Sequence, residues 1–407
     1  MRSWQARHYV GMTQPVELGL DYIQDLHAAN RRLREQAAAV QVIMPSGMPA
    51  WLITRYPQAR AALADPRLGK QAVTIRGRYR PGSPESVLFR HMLNTDPPDH
   101  ERLRRLVSKA FTARRIELLR PRVSAIAAAL LDDIAAGDEA DLVESFAFPL
   151  PIMVICELLG LPAQDRDKFR EWSDAVVSAI TRQAEIDDAA IAWSDYVSGL
   201  LEVKRKDPAD DLLSALVHVE DAGDRLNRDE LLAMVFLLLA AGHETTVNLI
   251  SGGTLALLRD DAERARLAAD PTLLPGAIEE LLRYVCPSNH ATLRLTSEPV
   301  DVDGTVIPAG EIVLVLLSSA NRDPGYTDAP DRLDLTRDTA GHLGFGHGIH
   351  YCLGAPLARM EAEIAFTALL TRFPEMTLAV PPAELRYRPS TLVHGLVSLP
   401  VRLRRLP

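Results

Sequence analysis

Residues 343–354 place four glycines around a single cysteine, Cys352, directly before a predicted helix. Glycine lets a backbone approach a flat group closely, and the N–H groups of such a loop can donate hydrogen bonds to a thiolate. The helix predicted from Pro356 directs its N-terminal partial positive charge at Cys352. These features favour a thiolate, which acts as a nucleophile or as a metal ligand. The alternative is a buried structural cysteine, the usual state of an isolated free cysteine.

Zinc binding is a further alternative, because three histidines of suitable donor type lie close to Cys352 in the sequence: His342, His347 and His350. Their spacing lacks the paired pattern of zinc sites, and no second donor pair stands out elsewhere. The zinc interpretation is therefore disfavoured. The chain has 3 cysteines and no Cys-x-x-Cys pair, which argues against a disulfide framework.

Residues 231–250 are predicted to form a long apolar helix with a polar interruption at Glu244 and Thr245. A buried acid is costly without a partner, so its position indicates a polar task on an apolar surface. Thr245 has a structural alternative, since a threonine inside a helix can bond back to the carbonyl of Ala241. The small Gly242, close to the acid, favours instead an opened groove that holds a small ligand and water.

Two charge patterns are weak when taken alone. Glu280 and Arg283 stand at an i, i+3 spacing, which is typical of exposed helix pairs that contribute roughly 0.2–0.5 kcal/mol. Residues 100–115 carry six Lys or Arg side chains and one Glu. Such a run is usually a solvated helix face. The functional alternative is an anion site, with His100 and Arg104 one turn apart, beside a docking patch for an acidic partner.

The organisation of the chain is mostly helical from residue 96 to residue 286, where apolar residues recur at three- and four-residue spacing. Predicted strands are few and short: 50–54, 292–295, 312–316 and 396–403. Residues 323–344 are rich in Asp, Pro and Gly and are predicted to be irregular. The length of 407 residues favours two or three domains at about 150 residues each, but no flexible linker divides the chain.

The charge balance is mildly acidic, since 45 Lys+Arg and 54 Asp+Glu give a net charge of −9. This provides no general attraction to nucleic acid or anionic lipid. Residues 1–8 lack the apolar stretch of a secretory signal, and the longest apolar run, 231–242, is shorter than the roughly 20 residues that span a bilayer. We expect a cytoplasmic protein that binds neither nucleic acid nor a membrane.

These segments occur together, in this order, in one superfamily, and the sequence resembles the cytochrome P450 haem-thiolate monooxygenases. The resemblance extends from about Trp51 to the C-terminus, in overall pattern most like actinobacterial members that hydroxylate macrolides, other polyketides, steroids or vitamin D. Three motifs carry it: the cysteine signature Phe345-x-x-Gly348-x-x-x-Cys352-x-Gly354, the oxygen-activating helix motif Ala241-Gly242-x-Glu244-Thr245-Thr246, and the structural motif Glu280-x-x-Arg283.

The resemblance implies a mainly α fold, with a large helical region, a small β-rich region, and one domain over residues 1–407. Haem b would lie between the long central helix, predicted over residues 231–250, and the loop of residues 343–354, here called the cysteine loop. Cys352 would be the axial iron ligand. Glu244 and Thr245 would be catalytic, organising water that delivers protons to dioxygen. His243 is expected to face away from the haem.

The resemblance also assigns further residues to the cofactor and to the scaffold. Four would bind the haem carboxylates: His100, Arg104, Arg294 and His350. The loop below the ring would be shaped by Phe345, Gly346, Gly348 and Gly354, with the Phe345 ring shielding the sulfur. Glu280 and Arg283 would be structural and joined by an arginine of the irregular segment, Arg337 as first choice and Arg332 as second.

Electrons are expected from an external ferredoxin, reduced by an NAD(P)H-dependent reductase and docking near the surface from Arg102 to Arg115. The reaction would insert one atom of dioxygen by hydroxylation or epoxidation. One alternative is a peroxide-driven peroxygenase, against which the Glu244–Thr245 pair argues because that route does not need dioxygen activation. The other is a non-catalytic haem-binding or ligand-binding homologue.

The predicted substrate is a bulky, mostly apolar molecule such as a macrolide, another polyketide or a steroid-like compound, because the candidate pocket walls are mostly aliphatic. Arginines in the loop after residue 70 are expected either to meet an acidic substrate or carrier protein or to be solvated: Arg76, Arg78 and Arg80. Six residues are predicted to line the pocket: Leu237, Ala241, Asn289, Ala291, Leu392 and Val393.

Overall fold

The structure is a computed structural model that describes residues 14–70, 84–177, 182–220 and 223–403. The interpretations of residues 1–8 and of Arg76, Arg78 and Arg80 fall outside the described residues. Within the described ranges the chain is mainly α with a small β region, as the sequence predicts.

The helices are numbered in chain order. They are α1 Asp21–Gln24, α2 Leu26–Gln36, α3 Tyr56–Ala64, α4 Pro84–Leu88, α5 Asp99–Ala110, α6 Ala113–Leu118, α7 Arg120–Ile134, α8 Pro149–Leu159, α9 Arg166–Val177, α10 Gln183–Lys206, α11 Leu212–His218, α12 Arg228–Leu258, α13 Asp261–Ala269, α14 Leu274–Val285, α15 Leu317–Ala320 and α16 Ala355–Arg372.

The described strands form three sheets, ordered β1-β2-β3-β9-β6-β4, β10-β11-β5 and β7-β8. In the largest sheet β3 and β9 are parallel, and β9 is antiparallel to β6. The strands are β1 Val16–Glu17, β2 Ala39–Ile43, β3 Pro49–Ile53, β4 Leu68–Gly69, β5 Glu139–Asp141, β6 Arg294–Thr296, β7 Val300–Val302, β8 Thr305–Ile307, β9 Ile312–Val315, β10 Thr377–Leu378 and β11 Pro400–Arg402.

Helix α12 is the central element of the helical region. Its 31 residues include the predicted helix 231–250, and Asn227 and Glu230 form a capping box at its start. It packs against α8, α14 and α16. It is also long and apolar enough to cross a membrane, but 72% of its most apolar window is buried inside the protein. The buried surface identifies α12 as the core helix around which the site is built.

The cysteine loop leads into α16, which begins at Ala355 with Pro356 in its first turn, as predicted. Proline is favoured there because the first N–H groups of a helix have no intrahelical partner. Residues 323–344, all of which the structure describes, form turns and no helix or strand. This irregular segment and the loop together position Cys352 near the N-terminus of α16.

Candidate functional site

The loop before α16 folds back on itself around Cys352. The backbone N–H of Cys352 donates to the carbonyl of Phe345 at 3.0 Å. Gly346 and Gly348 have φ values of 73° and 76°, a region that other residues rarely adopt. A Cβ on Gly348 would also lie 2.9 Å from the carbonyl oxygen of Leu63. Of the three cysteines, Cys352 is exposed and the other two are buried.

The electrostatics of Cys352 differ in part from the expectation of a thiolate. Although residue Cys352 is exposed, desolvation by the surrounding protein raises the pKa of its thiol, against the lowering effects of the Gly354 and Ala355 N–H groups and of the Arg104 and Arg359 charges. The predicted helix N-terminus is therefore present, but desolvation outweighs its effect on the thiol pKa. A coordinating metal ion displaces the thiol proton, which reverses this balance.

Glu279 on α14 anchors both sides of the cysteine loop. Its carboxylate accepts from Arg359 Nε at 2.6 Å and lies 3.0 Å from His342 Nε2. The Arg359 guanidinium in turn covers the Phe345 ring at 4.5 Å. Burial tends to raise the pKa of Glu279, but Arg359 and His342 hold it at about 2. The ion pairs of Glu279 therefore stabilise the protein fully at any pH above the usual carboxyl pKa, and this stabilisation is lost as the pH falls from there towards 2.

Thr245 and Ala241 lie one turn apart on α12. The Thr245 hydroxyl donates to the Ala241 carbonyl at 2.9 Å, the local bond that the sequence left as an alternative. Gly242 is not part of an opened groove, because a Cβ there would lie 3.0 Å from Cδ1 of Ile155 on α8. The glycine instead allows close packing of α8 on α12. Ala241 is exposed, whereas Gly242 is half-buried.

Glu244 is buried and bound by two cationic or ionisable side chains. Its Oε2 accepts from Arg388 Nη1 at 2.9 Å, and its Oε1 lies 3.3 Å from His243 Nε2. Burial tends to raise the pKa of Glu244, but His243 and Arg388 hold it at about 2. The second Nη of Arg388 donates to Asp174 on α9. Glu244 is thus an ionised carboxylate connected through Arg388 to Asp174.

His243 lies on the opposite side of α12 from Ala241, two residues away at about 100° per residue. Its ring is fully buried. Nδ1 lies 2.8 Å from the Leu239 carbonyl and Nε2 lies 3.3 Å from the Ser173 hydroxyl. The ring therefore packs towards α9 rather than towards the face that carries Thr245.

Four side chains predicted to bind carboxylates come together beside the cysteine loop. The His100 and His350 rings are 4.4 Å apart between centroids. Arg104 Nη2 donates to the Tyr351 carbonyl at 2.7 Å, and Arg294 donates to the Leu63 and Leu68 carbonyls. Both ring nitrogens of His100 and Nε of Arg294 are buried without a hydrogen-bond partner in the part of the chain that the structure describes.

Buried donors of this kind are rare unless an acceptor binds there. Burial, followed by the neighbouring cations, lowers the pKa of His350 to about 2, and burial lowers the pKa of Arg294 to about 10. A cluster with this excess of positive charge and unpaired donors fits a group that carries two carboxylates, as haem does. The residues present therefore fit the predicted cofactor.

Glu280 and Arg283 form a bidentate ion pair that is fully buried, with distances of 2.6 and 2.8 Å. Arg337 Nε lies 3.3 Å from the same carboxylate, so the structure brings the first-choice arginine to the pair. Arg332 contributes its carbonyl to Arg283 at 3.4 Å, and its guanidinium pairs with Asp334 instead.

The Asn289 side chain, predicted to line the pocket, forms hydrogen bonds within the protein. Its amide nitrogen donates to the Tyr22 hydroxyl at 3.1 Å and to the Thr391 carbonyl at 3.0 Å. Its amide oxygen accepts from Asn30 at 3.1 Å and from Ser318 at 2.5 Å. The amide is therefore fully used in a buried network that joins α1, α2 and α15. Those partners lie too far away in the sequence to be read from it.

The other predicted pocket residues differ in burial. Leu237 and Val393 are buried, Ala291 and Leu392 are half-buried, and Ala241 is exposed. The Asn289 N–H donates to the Leu392 carbonyl at 2.8 Å, so residues 288–291 and 391–394 run side by side. Across the described ranges, no group of three or more His, Cys, Asp or Glu side chains is arranged to hold a metal ion.

Sequence reasoning missed two site residues, Arg388 and Lys70. Arg388 follows no motif, and its partners Glu244 and Asp174 are 144 and 214 residues away. Lys70 is buried beside the carboxylate-binding cluster and adjoins β4, in a stretch that carries no recognisable signal.

Comparisons with known proteins agree with this geometry. The family model described as Cytochrome P450 matches residues 166–379. The chain is 51% identical over 392 residues to cytochrome P450 monooxygenase PikC of Streptomyces venezuelae, covering 95% of this chain and 93% of that protein. It is 47% identical over 388 residues to vitamin D(3) 25-hydroxylase of Pseudonocardia autotrophica, covering 93% and 94%. The tirandamycin C-bound P450 monooxygenase TamI has a TM-score of 0.89 and 48% identity, covering 96% of this chain and all of that one.

Proposed function

The chain belongs to the cytochrome P450 family, and on that premise we propose that Cys352 is the axial ligand of its haem iron. The predicted family, fold, haem cofactor and monooxygenase activity are confirmed by the comparisons. The observation that carries the proposal is the position of exposed Cys352 beside a cluster of arginines and histidines, some of whose buried nitrogens have no hydrogen-bond partner in the described ranges. Tyr351, its neighbour in the chain, is bound directly by Arg104.

In this proposal the cluster of His100, Arg104, Arg294 and His350 binds the two haem carboxylates. Phe345, Gly346, Gly348 and Gly354 shape the loop beside the ring, and Arg359 fixes the Phe345 side chain. Haem bound through a thiolate supplies the dioxygen activation and the transfer of one oxygen atom to the substrate. The protein contributes binding, orientation and control of protons.

Glu244 and Thr245 are proposed to deliver those protons. The Thr245 hydroxyl is on the same face of α12 as exposed Ala241, where it can hold a water molecule beside the substrate. Glu244 accepts a proton from the solvent side and returns it through Thr245. Asp174 has a side-chain exposure of 39% and Arg388 of 26%, so this pair links buried Glu244 to the surface.

Replacing Arg388 with glutamine is expected to impair this delivery. Because Arg388 lowers the pKa of Glu244, its loss raises that pKa and leaves the buried carboxylate with a weaker partner. We expect about tenfold less product per dioxygen consumed. This loss is smaller than the roughly 100-fold loss that removal of the general acid or base itself can cause, because Arg388 only positions Glu244. The acidic limb of the pH profile for product formation should move to higher pH.

The measurement is product yield per dioxygen as a function of pH, with the Arg386→Gln variant as control. Arg386 lies two residues before Arg388 and is exposed. Within the described ranges its side chain donates to the Ala383 and Leu385 carbonyls. Its replacement should leave both the yield and the pH profile unchanged. An unchanged acidic limb in the Arg388→Gln variant would contradict the positioning role.

We also propose that residues 1–407 form a single domain and that the protein is cytoplasmic. A ferredoxin, reduced by an NAD(P)H-dependent reductase, would donate the electrons. The basic run is less open than its sequence indicates, because Arg102 pairs with Asp224 and Glu230 and Arg115 pairs with Asp210. Three cations of this run are exposed, and we propose that their charge attracts an acidic partner: Arg105, Lys109 and Arg114.

The proposed substrate is a bulky, mostly apolar molecule such as a macrolide, another polyketide or a steroid-like compound. One support is the aliphatic character of four predicted pocket residues: Leu237, Ala291, Leu392 and Val393. A second is that one relative is a vitamin D(3) 25-hydroxylase and that another has been solved with tirandamycin C bound. Burial of apolar area with few polar anchors is typical of such sites.

The test is an optical titration of the purified ferric protein with macrolides, other polyketides, steroids and peptides. A saturable low-spin to high-spin Soret shift is expected for at least one class. That compound is then incubated with ferredoxin, reductase and NADPH under labelled dioxygen, and one labelled oxygen atom is expected in the product. Turnover with hydrogen peroxide at an equal rate and without ferredoxin would instead support a peroxygenase.

A further inference from the structure

Lys70 is a buried lysine that directly follows β4. Its side chain is 2% exposed, and its ammonium donates to the Thr292 hydroxyl. Within the described ranges no carboxylate forms an ion pair with it; the Asp96 carboxylate instead accepts from the Lys70 backbone N–H at 2.8 and 3.0 Å. An ammonium has three donors, and among the described residues the Thr292 hydroxyl accepts from one of them.

Two charged groups influence Lys70, the Arg294 guanidinium and the Asp96 carboxylate. Burial lowers its pKa well below the ordinary lysine range, and the Arg294 charge adds to this while Asp96 opposes it. Gly69 on β4 pairs with Leu295 on antiparallel β6, so Lys70 lies across from Arg294, which donates to the Leu63 and Leu68 carbonyls.

Two interpretations compete. In the first, Lys70 is a neutral amine satisfied by Thr292, and it has only a structural role. In the second, an anion occupies the space between Lys70 and Arg294. The second interpretation also accounts for Nε of Arg294, which is buried without a partner in the described ranges. A carboxylate can accept from an ammonium and a guanidinium together, and these charge-assisted bonds are stronger than neutral ones.

We propose that Lys70 binds one haem carboxylate together with Arg294. The inference rests on the proposed function, and it assigns Lys70 a positioning role that the P450 motifs of this sequence do not contain. The lysine holds the haem in the pocket, and its charge adjoins the carboxylate rather than the iron.

The test compares Lys70→Met with wild type by the rate at which the ferric holoprotein loses haem to excess apomyoglobin. We expect loss to be at least about tenfold faster in Lys70→Met, since a charge-assisted hydrogen bond is removed. Lys70→Arg keeps the cation and should restore the rate to within about threefold. Lys206→Met, at an exposed position at the end of α10, should match the wild type.

A second measurement separates carboxylate binding from a general effect on the fold. Wild type and Lys70→Met are each loaded with iron protoporphyrin dimethyl ester, whose carboxylates are blocked, and the difference in loss rate between them should disappear. The reduction potential of the natural haem should also fall in Lys70→Met, because a nearby positive charge is removed.

The outcomes distinguish the role of Lys70 from the proposed monooxygenase function. Equal rates of haem loss in wild type and Lys70→Met would overturn the role of Lys70 and leave the monooxygenase assignment intact. A difference that persists with the ester would also overturn it, because the lysine would then act on the pocket and not on the carboxylate. A wild-type protein that binds no haem would overturn the proposed function itself.

Discussion

Replacing Cys352 with serine is expected to abolish monooxygenase activity and the haem-thiolate spectrum. Serine has similar size, but its hydroxyl does not supply the thiolate that donates electron density to the iron. Substitution of groups that only orient a metal ligand already costs about 10–100-fold, so loss of the ligand itself should exceed about 100-fold. The measurement is the Soret band of the ferrous carbon monoxide complex together with product formation.

Cys156→Ala is the matched control, because Cys156 is fully buried in the apolar core around α8. It should retain the thiolate band and most of the activity. Haem should still enter the Cys352→Ser variant, because the carboxylate-binding cluster and the glycine loop are unchanged. A thiolate spectrum that survived in Cys352→Ser would show that another cysteine binds the iron.

The parts of the site that the sequence predicts are those in which spacing alone carries the geometry. Gly348 and Cys352 belong to one tight loop, where positive φ values require glycine. Glu280 and Arg283 share one helical face because they are three residues apart. The structure confirms two predicted helices, the one over 231–250 as part of α12 and the one from Pro356 as α16. Both could be predicted because apolar periodicity and helix start signals are local features of the sequence.

The parts that could not be predicted depend on contacts between distant segments. Arg388 reaches Glu244 from the C-terminal region, and nothing in its local sequence marks it as the partner of α12. Asn289 stands beside predicted pocket residues, yet its amide is bound by α1, α2 and α15. The sequence favours an open groove beside Gly242, whereas in the structure the glycine allows the close approach of Ile155 to α12. In each case the deciding neighbour comes from another element.

Replacing Arg283 with alanine is expected to destabilise the protein more than any substitution at an exposed charge. Arg283 and Glu280 are both fully buried, so the variant removes the bidentate partner of the carboxylate, which keeps only the longer contact to Arg337 at 3.3 Å and the Asp334 N–H among the described residues. Breaking a buried ion pair in this way costs about 3–5 kcal/mol. The Asn321 and Pro330 carbonyls also lose their donor, at 2.9 and 2.8 Å. Because native proteins are stable by only about 5–15 kcal/mol, little folded holoprotein should remain.

The measurement is the urea midpoint for loss of the Soret band, or the yield of holoprotein where no folded fraction survives. Arg332→Gln is the control from the same region, because its side chain is 69% exposed and pairs with Asp334 on the surface, so its loss should cost about 0–1 kcal/mol. Arg283→Lys should fall between the two, since lysine keeps the charge without the bidentate geometry. If Arg283→Ala were as mild as Arg332→Gln, the buried ion pair would not be what fixes the irregular segment 323–344 against α14. The cysteine loop, which follows that segment, would then depend on the Glu279–Arg359 contact for its position.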